Sequence, residues 1–111
     1  MKRLFIETIG FKKRISEFGN DKLLNDIQNE ILKQPHKGKI VIGTGGVRKL
    51  RLGISNKGKS GGYRIIYLDL EQRQKTYLLW LYTKSEEESL SAQEKKEIRK
   101  LVNIIKKENQ L

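Results

Sequence analysis

The side chains that could do chemistry in this 111-residue sequence are cations and tyrosines. There is no cysteine, and the single histidine, His36, lies within "QPHKG". A thiol nucleophile, a cysteine-based metal site and a two-histidine ribonuclease scheme are therefore excluded. We expect a lone histidine between proline and lysine to be a solvated loop residue.

The cations are concentrated in the middle third of the sequence. The net charge is +11, and no Asp or Glu occurs between Ile31 and Leu68. The rest of the chain is close to neutral, so this distribution predicts a face that binds a polyanion. A solvated basic surface is the alternative. Because the segment offers no carboxylate to bind a metal ion, we predict no metal and no cofactor. Its nine cations are Lys33, Lys37, Lys39, Arg48, Lys49, Arg51, Lys57, Lys59 and Arg64.

These residue types suit the cleavage of RNA, which supplies its own nucleophile, the 2′-hydroxyl. In-line attack on the adjacent phosphate needs a base, charge opposite the phosphorane and an acid at the leaving oxygen. Cations and tyrosines can divide these roles without a metal, although a non-catalytic RNA-binding face would have a similar composition. The candidates on adjoining strands and their loop are Lys49, Arg51, Lys59, Arg64, Tyr82 and Lys84.

The segment Gly53–Ser60 reads G-x-x-x-x-G-K-S, the phosphate-loop pattern of nucleotide triphosphatases. A phosphate loop opens a helix, whose N-terminus completes the anion site. Here two glycines and the strand-like "YRIIYL" come next. We therefore predict no nucleotide site, and we interpret the glycines and lysines as a hairpin loop that touches nucleic-acid backbone.

Hydrophobic periodicity predicts an α+β fold with about four strands, largely antiparallel, two N-terminal helices and one C-terminal helix. A strand around Leu4–Ile6 precedes two amphipathic helices, and Pro35 and Gly38 end the second. Three strands follow at 47–52, 63–70 and 76–83. A capping box at 91–94 begins the last helix, with an apolar stripe of Ile98, Leu101, Val102 and Ile105. We expect all helices on one side of the sheet.

The length predicts a single domain over residues 1–111. No apolar run near the N-terminus is typical of a secretory signal, and none is long enough for a membrane span. Together with the absence of cysteine, this favours a cytoplasmic protein without a membrane partner.

The segments "GTGGVRKLRLG", "GKSGGYRIIYL" and "YLLWLYTKSE", followed by "LS", resemble the RelE/HigB-like toxins of bacterial type II toxin–antitoxin systems, in the RelE/ParE superfamily. The resemblance is sharpest from Gly43 to Leu90, and the order of elements agrees with that family's fold. It implies a ribosome-dependent mRNA endonuclease, an mRNA interferase that inhibits translation. The implied partners are a neutralising antitoxin, of helix-turn-helix type, the ribosome and mRNA, with operator DNA bound only through the antitoxin.

The resemblance also implies roles for individual residues. Lys49 and Arg51 would hold or protonate around the scissile phosphate, and Arg64 would stabilise its developing charge. Tyr82 and Lys84 would complete the catalytic site, and RNA contacts would come from Arg48, Lys57 and Lys59. The residues do not assign the general base. Two alternative functions are also compatible with the sequence. One is a ParE-like inhibitor of DNA gyrase that catalyses nothing, and the other is a basic RNA-binding module.

Overall fold

A computed structural model of the protein describes residues 2–18, 21–53, 62–86 and 90–111. Its three helices and five strands confirm the predicted α+β class. The helices are α1 (Ile9–Phe18), α2 (Asp21–Lys33) and α3 (Ala92–Glu108). The strands are β1 (Leu4–Glu7), β2 (Lys39–Ile40), β3 (Arg48–Leu52), β4 (Tyr63–Leu70) and β5 (Lys75–Thr83). Within these described ranges, every helix is too short or too polar to cross a membrane.

The five strands form one sheet in the order β1-β5-β4-β3-β2. The connected strands β3, β4 and β5 pair antiparallel, as predicted from their short connections, while β1 pairs parallel with β5. The strand β2 was not predicted, since two residues are too few to show alternation. It adds an outer edge beside β3.

Each face of the sheet carries its own apolar core. The first core joins Leu50, Ile65, Tyr67 and Leu81 to the buried stripes of α1 and α2, including Phe11 and Ile27. The second joins Ile66, Leu68 and Leu79 to Val102 and Ile105 of α3. Alternation along β4 places Ile65 and Ile66 on opposite faces. The expectation that all helices lie on one side was therefore wrong, because α3 covers the face opposite α1 and α2.

Helix α3 begins as the sequence predicts and is anchored at its far end. The Ser91 side chain accepts from the Glu94 amide and the Glu94 carboxylate accepts from the Ser91 amide, which completes the capping box and lowers the pKa of Glu94. At the other end, the buried Asn109 donates to the Tyr77 hydroxyl and accepts from Lys75 at 2.8 Å. The helix is thus attached to β5 near the beginning of that strand.

The segment between α2 and β2 is fixed by the hydroxyl group of Tyr67, whose side chain is fully buried in the first core. This hydroxyl donates to the Pro35 carbonyl at 2.8 Å and accepts from the Gly38 amide at 3.1 Å. Burial raises the pKa of the Tyr67 hydroxyl, so it stays protonated and can donate at neutral pH. These two hydrogen bonds hold the chain at Pro35 and Gly38, immediately before β2.

We predict that Tyr67→Phe lowers the free energy of unfolding by about 1–3 kcal/mol, because the buried Gly38 amide loses its acceptor. Urea denaturation at neutral pH measures the change. Tyr63→Phe is the matched control, since the Tyr63 ring packs against the same core and its hydroxyl has no hydrogen-bond partner among the described residues. Equal losses in both variants would show that the Tyr67 hydrogen bonds do not stabilise this segment.

Candidate polyanion-binding site

Three strands place Arg51, Arg64 and Tyr82 in one row across the sheet. Arg51 pairs with Arg64 in the register of β3 and β4, and Arg64 pairs with Tyr82 in that of β4 and β5. Directly paired residues of antiparallel strands point to the same face, with Cα atoms about 4.5–5.5 Å apart. We call this set the basic row. Lys49, two residues from Arg51 on β3, lies on the same face, as predicted from alternation.

The central member of the basic row is largely removed from water. Arg64 is 7% exposed, although it stands one residue from the beginning of its strand. Its Nη1 donates to the Tyr63 carbonyl at 3.3 Å. Guanidinium keeps its charge even when buried, and donors in a poorly solvated site interact more strongly with an anion than donors in water. Arg64 therefore gives the row a preorganised positive charge.

Gly62 allows β4 to begin close against β3. Its φ is +134°, and a Cβ atom there would lie 2.6 Å from the Leu52 carbonyl oxygen. A side chain at position 62 would push apart the strand ends that carry Arg51 and Arg64. On the other side, the Lys84 amide donates to the Gly62 carbonyl at 3.0 Å. This bond brings Lys84, one residue beyond β5, to the end of the sheet that carries the basic row.

An open cleft of about 420 Å³ lies beside Lys49 and Arg51. The described residues that line it include no carboxylate, and its apolar wall includes Ile40 and Leu90. We call it the basic cleft, because five cations from the α2–β2 segment, β2, β3 and α3 line it: Lys37, Lys39, Lys49, Arg51 and Lys95. Converging cations of this kind can bind several phosphates of a polyanion.

Sequence reasoning missed three of these cations as site residues. Lys37 and Lys39 belong to the basic segment, but no individual role was predicted for them. Their spacing of two residues is the signal that could have found them, because in extended chain it places both side chains on the same side. Lys37 also forms an ion pair with Glu30 at 3.0 Å. Lys95 was missed altogether, since only the three-dimensional fold brings the first turn of α3 to the cleft.

A second open cleft, of about 590 Å³, lies on the other side of Leu90. Tyr82, Trp80 and apolar residues of α3 line it together with the carboxylates of Glu86, Glu94 and Glu97. Leu90 lines both clefts, so an acidic region adjoins the basic one. Repulsion from these carboxylates favours a path for a polyanion over the basic cleft.

The structure does not bring Arg48 to this face. Arg48 pairs with Tyr67 on the opposite face, and its Nη1 donates to the His36 and Gly38 carbonyls at 3.1 and 2.8 Å. Arg48 thus supports the α2–β2 segment. His36 is 55% exposed, as expected of a loop histidine, and its Nε2 lies 3.7 Å from an Asp69 carboxylate oxygen.

Lys57, Lys59 and the rest of the predicted hairpin loop, residues 54–61, lie outside the described residues. Immediately after this loop the chain enters a strand, since β4 begins at Tyr63, whereas a phosphate loop would continue into a helix. Among the side chains that the structure places, no three or more His, Asp or Glu residues are grouped to hold a metal ion.

The fold is that of a small α+β protein in which one face of the sheet carries the basic row and the adjoining basic cleft. A family model described as the RelE toxin of the RelE/RelB toxin–antitoxin system matches residues 11–111. The chain therefore belongs to the RelE toxin family, as the motif resemblance predicted. It is a toxin of a toxin–antitoxin system, and membership of the family implies an antitoxin as its partner.

We predict that Lys95→Gln weakens binding of a single-stranded RNA oligonucleotide and makes its salt dependence shallower. Each lost phosphate contact lowers the slope of log K against log salt concentration by about 0.7. Fluorescence anisotropy over a salt series measures both quantities. Lys96→Gln is the matched control, because Lys96 is the next residue of α3 and is not part of the cleft lining. Identical slopes for the two variants would remove Lys95 from the binding face.

Proposed function

We propose that the protein is a ribosome-dependent mRNA endonuclease that inhibits translation and is neutralised by its antitoxin. The observation that carries the proposal is the basic row, in which the largely buried residue Arg64 is paired with Arg51 on one neighbouring strand and with Tyr82 on the other. Two arginines and a hydroxyl group of a type that can transfer a proton thus stand on neighbouring strands of one face of the sheet.

The proposed reaction is transesterification within the RNA. The 2′-oxygen attacks the adjacent phosphorus, a bond to phosphorus forms, and the bond from phosphorus to the 5′-oxygen breaks. One proton leaves the 2′-hydroxyl and another arrives at the departing 5′-oxygen. Arg64 and Arg51 stabilise the charge of the phosphorane, and the donors of Arg64 are already largely removed from water before that charge develops. Lys49, Tyr82 and Lys84 supply the groups from which the acid and base are drawn.

The RNA is held mainly through phosphates in this proposal. The basic cleft extends the row from Lys49 and Arg51 toward Lys39 and Lys95. Such cations bind backbone without reading base edges. They therefore leave a flexible message poorly oriented for in-line attack. Orientation can contribute about 7–11 kcal/mol to catalysis, so a dependence on the ribosome to hold the message is physically reasonable.

The same fold could serve a protein that inhibits DNA gyrase, or one that binds RNA without cutting it. A cell-free translation extract separates these functions from an interferase. Primer extension on the message should reveal new 5′ ends only when toxin and ribosomes are both present. Arrested translation with an intact message would contradict the endonuclease proposal, and unaffected translation with inhibited gyrase would favour the gyrase inhibitor.

We predict that Arg64→Ala lowers the single-turnover cleavage rate on programmed ribosomes by about 10²–10³-fold, the usual effect of losing one charge-stabilising donor. The variant should retain its circular dichroism spectrum and should no longer arrest growth. Arg99→Ala is the control, since it removes an arginine from the exposed surface of α3. A folded Arg64→Ala protein that cleaves at the wild-type rate would exclude Arg64 from the active site.

A further inference from the structure

The outer edge of β5 loses its neighbouring strand before the site is reached. β1 pairs with β5 only as far as Glu7 opposite Leu78, and the chain then turns into α1. β5 continues to Thr83, so the residues on either side of Tyr82 have no strand beside them on that edge in the part of the chain that the structure describes. Unpaired backbone groups at such an edge need other partners if the strand is to keep its geometry.

Two side chains take the place of the missing strand. Arg14 of α1 donates from Nε to the Leu81 carbonyl at 2.7 Å. Glu86, just after β5, accepts from the Thr83 amide at 2.8 Å and from its hydroxyl at 3.0 Å. Arg14 and Glu86 are themselves joined by an ion pair of 2.6 Å. Leu81 and Thr83, the two neighbours of Tyr82, are thus attached to one connected pair of side chains.

Arg14 is held in this position from several sides. Its guanidinium carbon lies 5.2 Å from the centre of the Phe18 ring and 5.6 Å from that of Trp80. A second ion pair, 2.7 Å long, joins it to Glu17 within α1. The hydrogen bonds from Thr83, together with the charge of Arg14, lower the pKa of the Glu86 carboxyl. Glu86 is therefore ionised and able to accept these bonds at neutral pH.

We propose that Arg14 and Glu86 are positioning residues that fix the last residues of β5, and with them Tyr82 and Lys84, against Arg64. The inference rests on the proposed function for the role of those residues in cleavage. Neither Arg14 nor Glu86 belongs to the basic row. They act through the backbone on either side of Tyr82, whose inner edge is already held by pairing with β4.

This role differs from ordinary stabilisation of the fold. Exposed ion pairs usually contribute little to global stability, whereas a displacement of about 1 Å at a reacting group can lower a rate about 100-fold. Loss of the contact should therefore affect the rate of the chemical step far more than unfolding or RNA affinity.

The chain offers a matched pair of carboxylates for the test. Glu17 and Glu86 bind the same guanidinium, and their side chains are equally exposed, at 46%. Only Glu86 also reaches Thr83. We expect Glu86→Ala to lower the single-turnover cleavage rate on ribosomes by about 10–100-fold, with RNA affinity and the midpoint of thermal unfolding nearly unchanged. We expect Glu17→Ala to stay within about twofold of the wild-type rate, because the orientation of β5 is kept.

Arg14→Lys provides a second comparison. Arginine binds the Leu81 carbonyl through Nε and Glu86 through Nη2 at the same time. Lysine keeps the charge, but its single ammonium group cannot reproduce this two-sided geometry. The cleavage rate of this variant should fall as it does in Glu86→Ala. Equal rates for Glu86→Ala and Glu17→Ala, or a wild-type rate for Arg14→Lys, would overturn the inference.

A readout independent of cleavage separates this inference from the proposed function. Amide hydrogen exchange at Thr83 and the ring signals of Tyr82, both measured by NMR, should change in Glu86→Ala and stay unchanged in Glu17→Ala. If the wild-type protein does not cut message but these signals change as expected, the proposed function fails and the positioning role stands. If both variants leave the signals unchanged, the positioning role is overturned whatever the activity.

Discussion

The antiparallel pairing of β4 between β3 and β5 is the constraint on which the rest of the structure depends. Tyr67, Ile65 and Ile66 of this strand are buried, and they join both cores. Because burial on both faces fixes the register, a slip of one residue would exchange the two apolar faces. The same register aligns Arg64 with Arg51 and Tyr82. The strand register that packs both cores is therefore also the register that assembles the basic row.

Helices α1 and α2 pack on one face of the sheet, and α3 packs on the opposite face. α3 packs through Val102 and Ile105, and Asn109 attaches it near the beginning of β5. Its first turn, with Lys95, borders the basic cleft without filling it. The other end of that face carries the basic row. Beyond the end of β1, the side chains of Arg14 and Glu86 bind the backbone at the outer edge of β5. The site thus lies where regular strand pairing ends.

Local patterns predicted much of this arrangement. The bounds of β4 and the shared face of Lys49 and Arg51 follow from periodicity, the capping box of α3 follows from a local motif, and all were confirmed. The face covered by α3 could not be predicted, since an apolar stripe shows that a helix packs but not against which face. The place of Lys95 beside the basic cleft and the contacts of Arg14 with Leu81 and Glu86 join residues distant in sequence, which no spacing rule reveals. For Arg48 the prediction from residue type misled. A cation suits RNA binding, but alternation along β3 places Arg48 on the face covered by α1 and α2.

In the proposed mechanism, the basic row promotes attack by the RNA's own 2′-hydroxyl. A message carrying one 2′-deoxy nucleotide immediately 5′ of the cleavage site, bound to ribosomes, tests it most directly. Single-turnover cleavage by the wild-type protein is compared with that of the all-ribose message at the same site. We expect the deoxy-substituted message to stay intact at that bond, because its nucleophile is missing. Cleavage of both messages at the same rate would show that the 2′-hydroxyl is not the nucleophile.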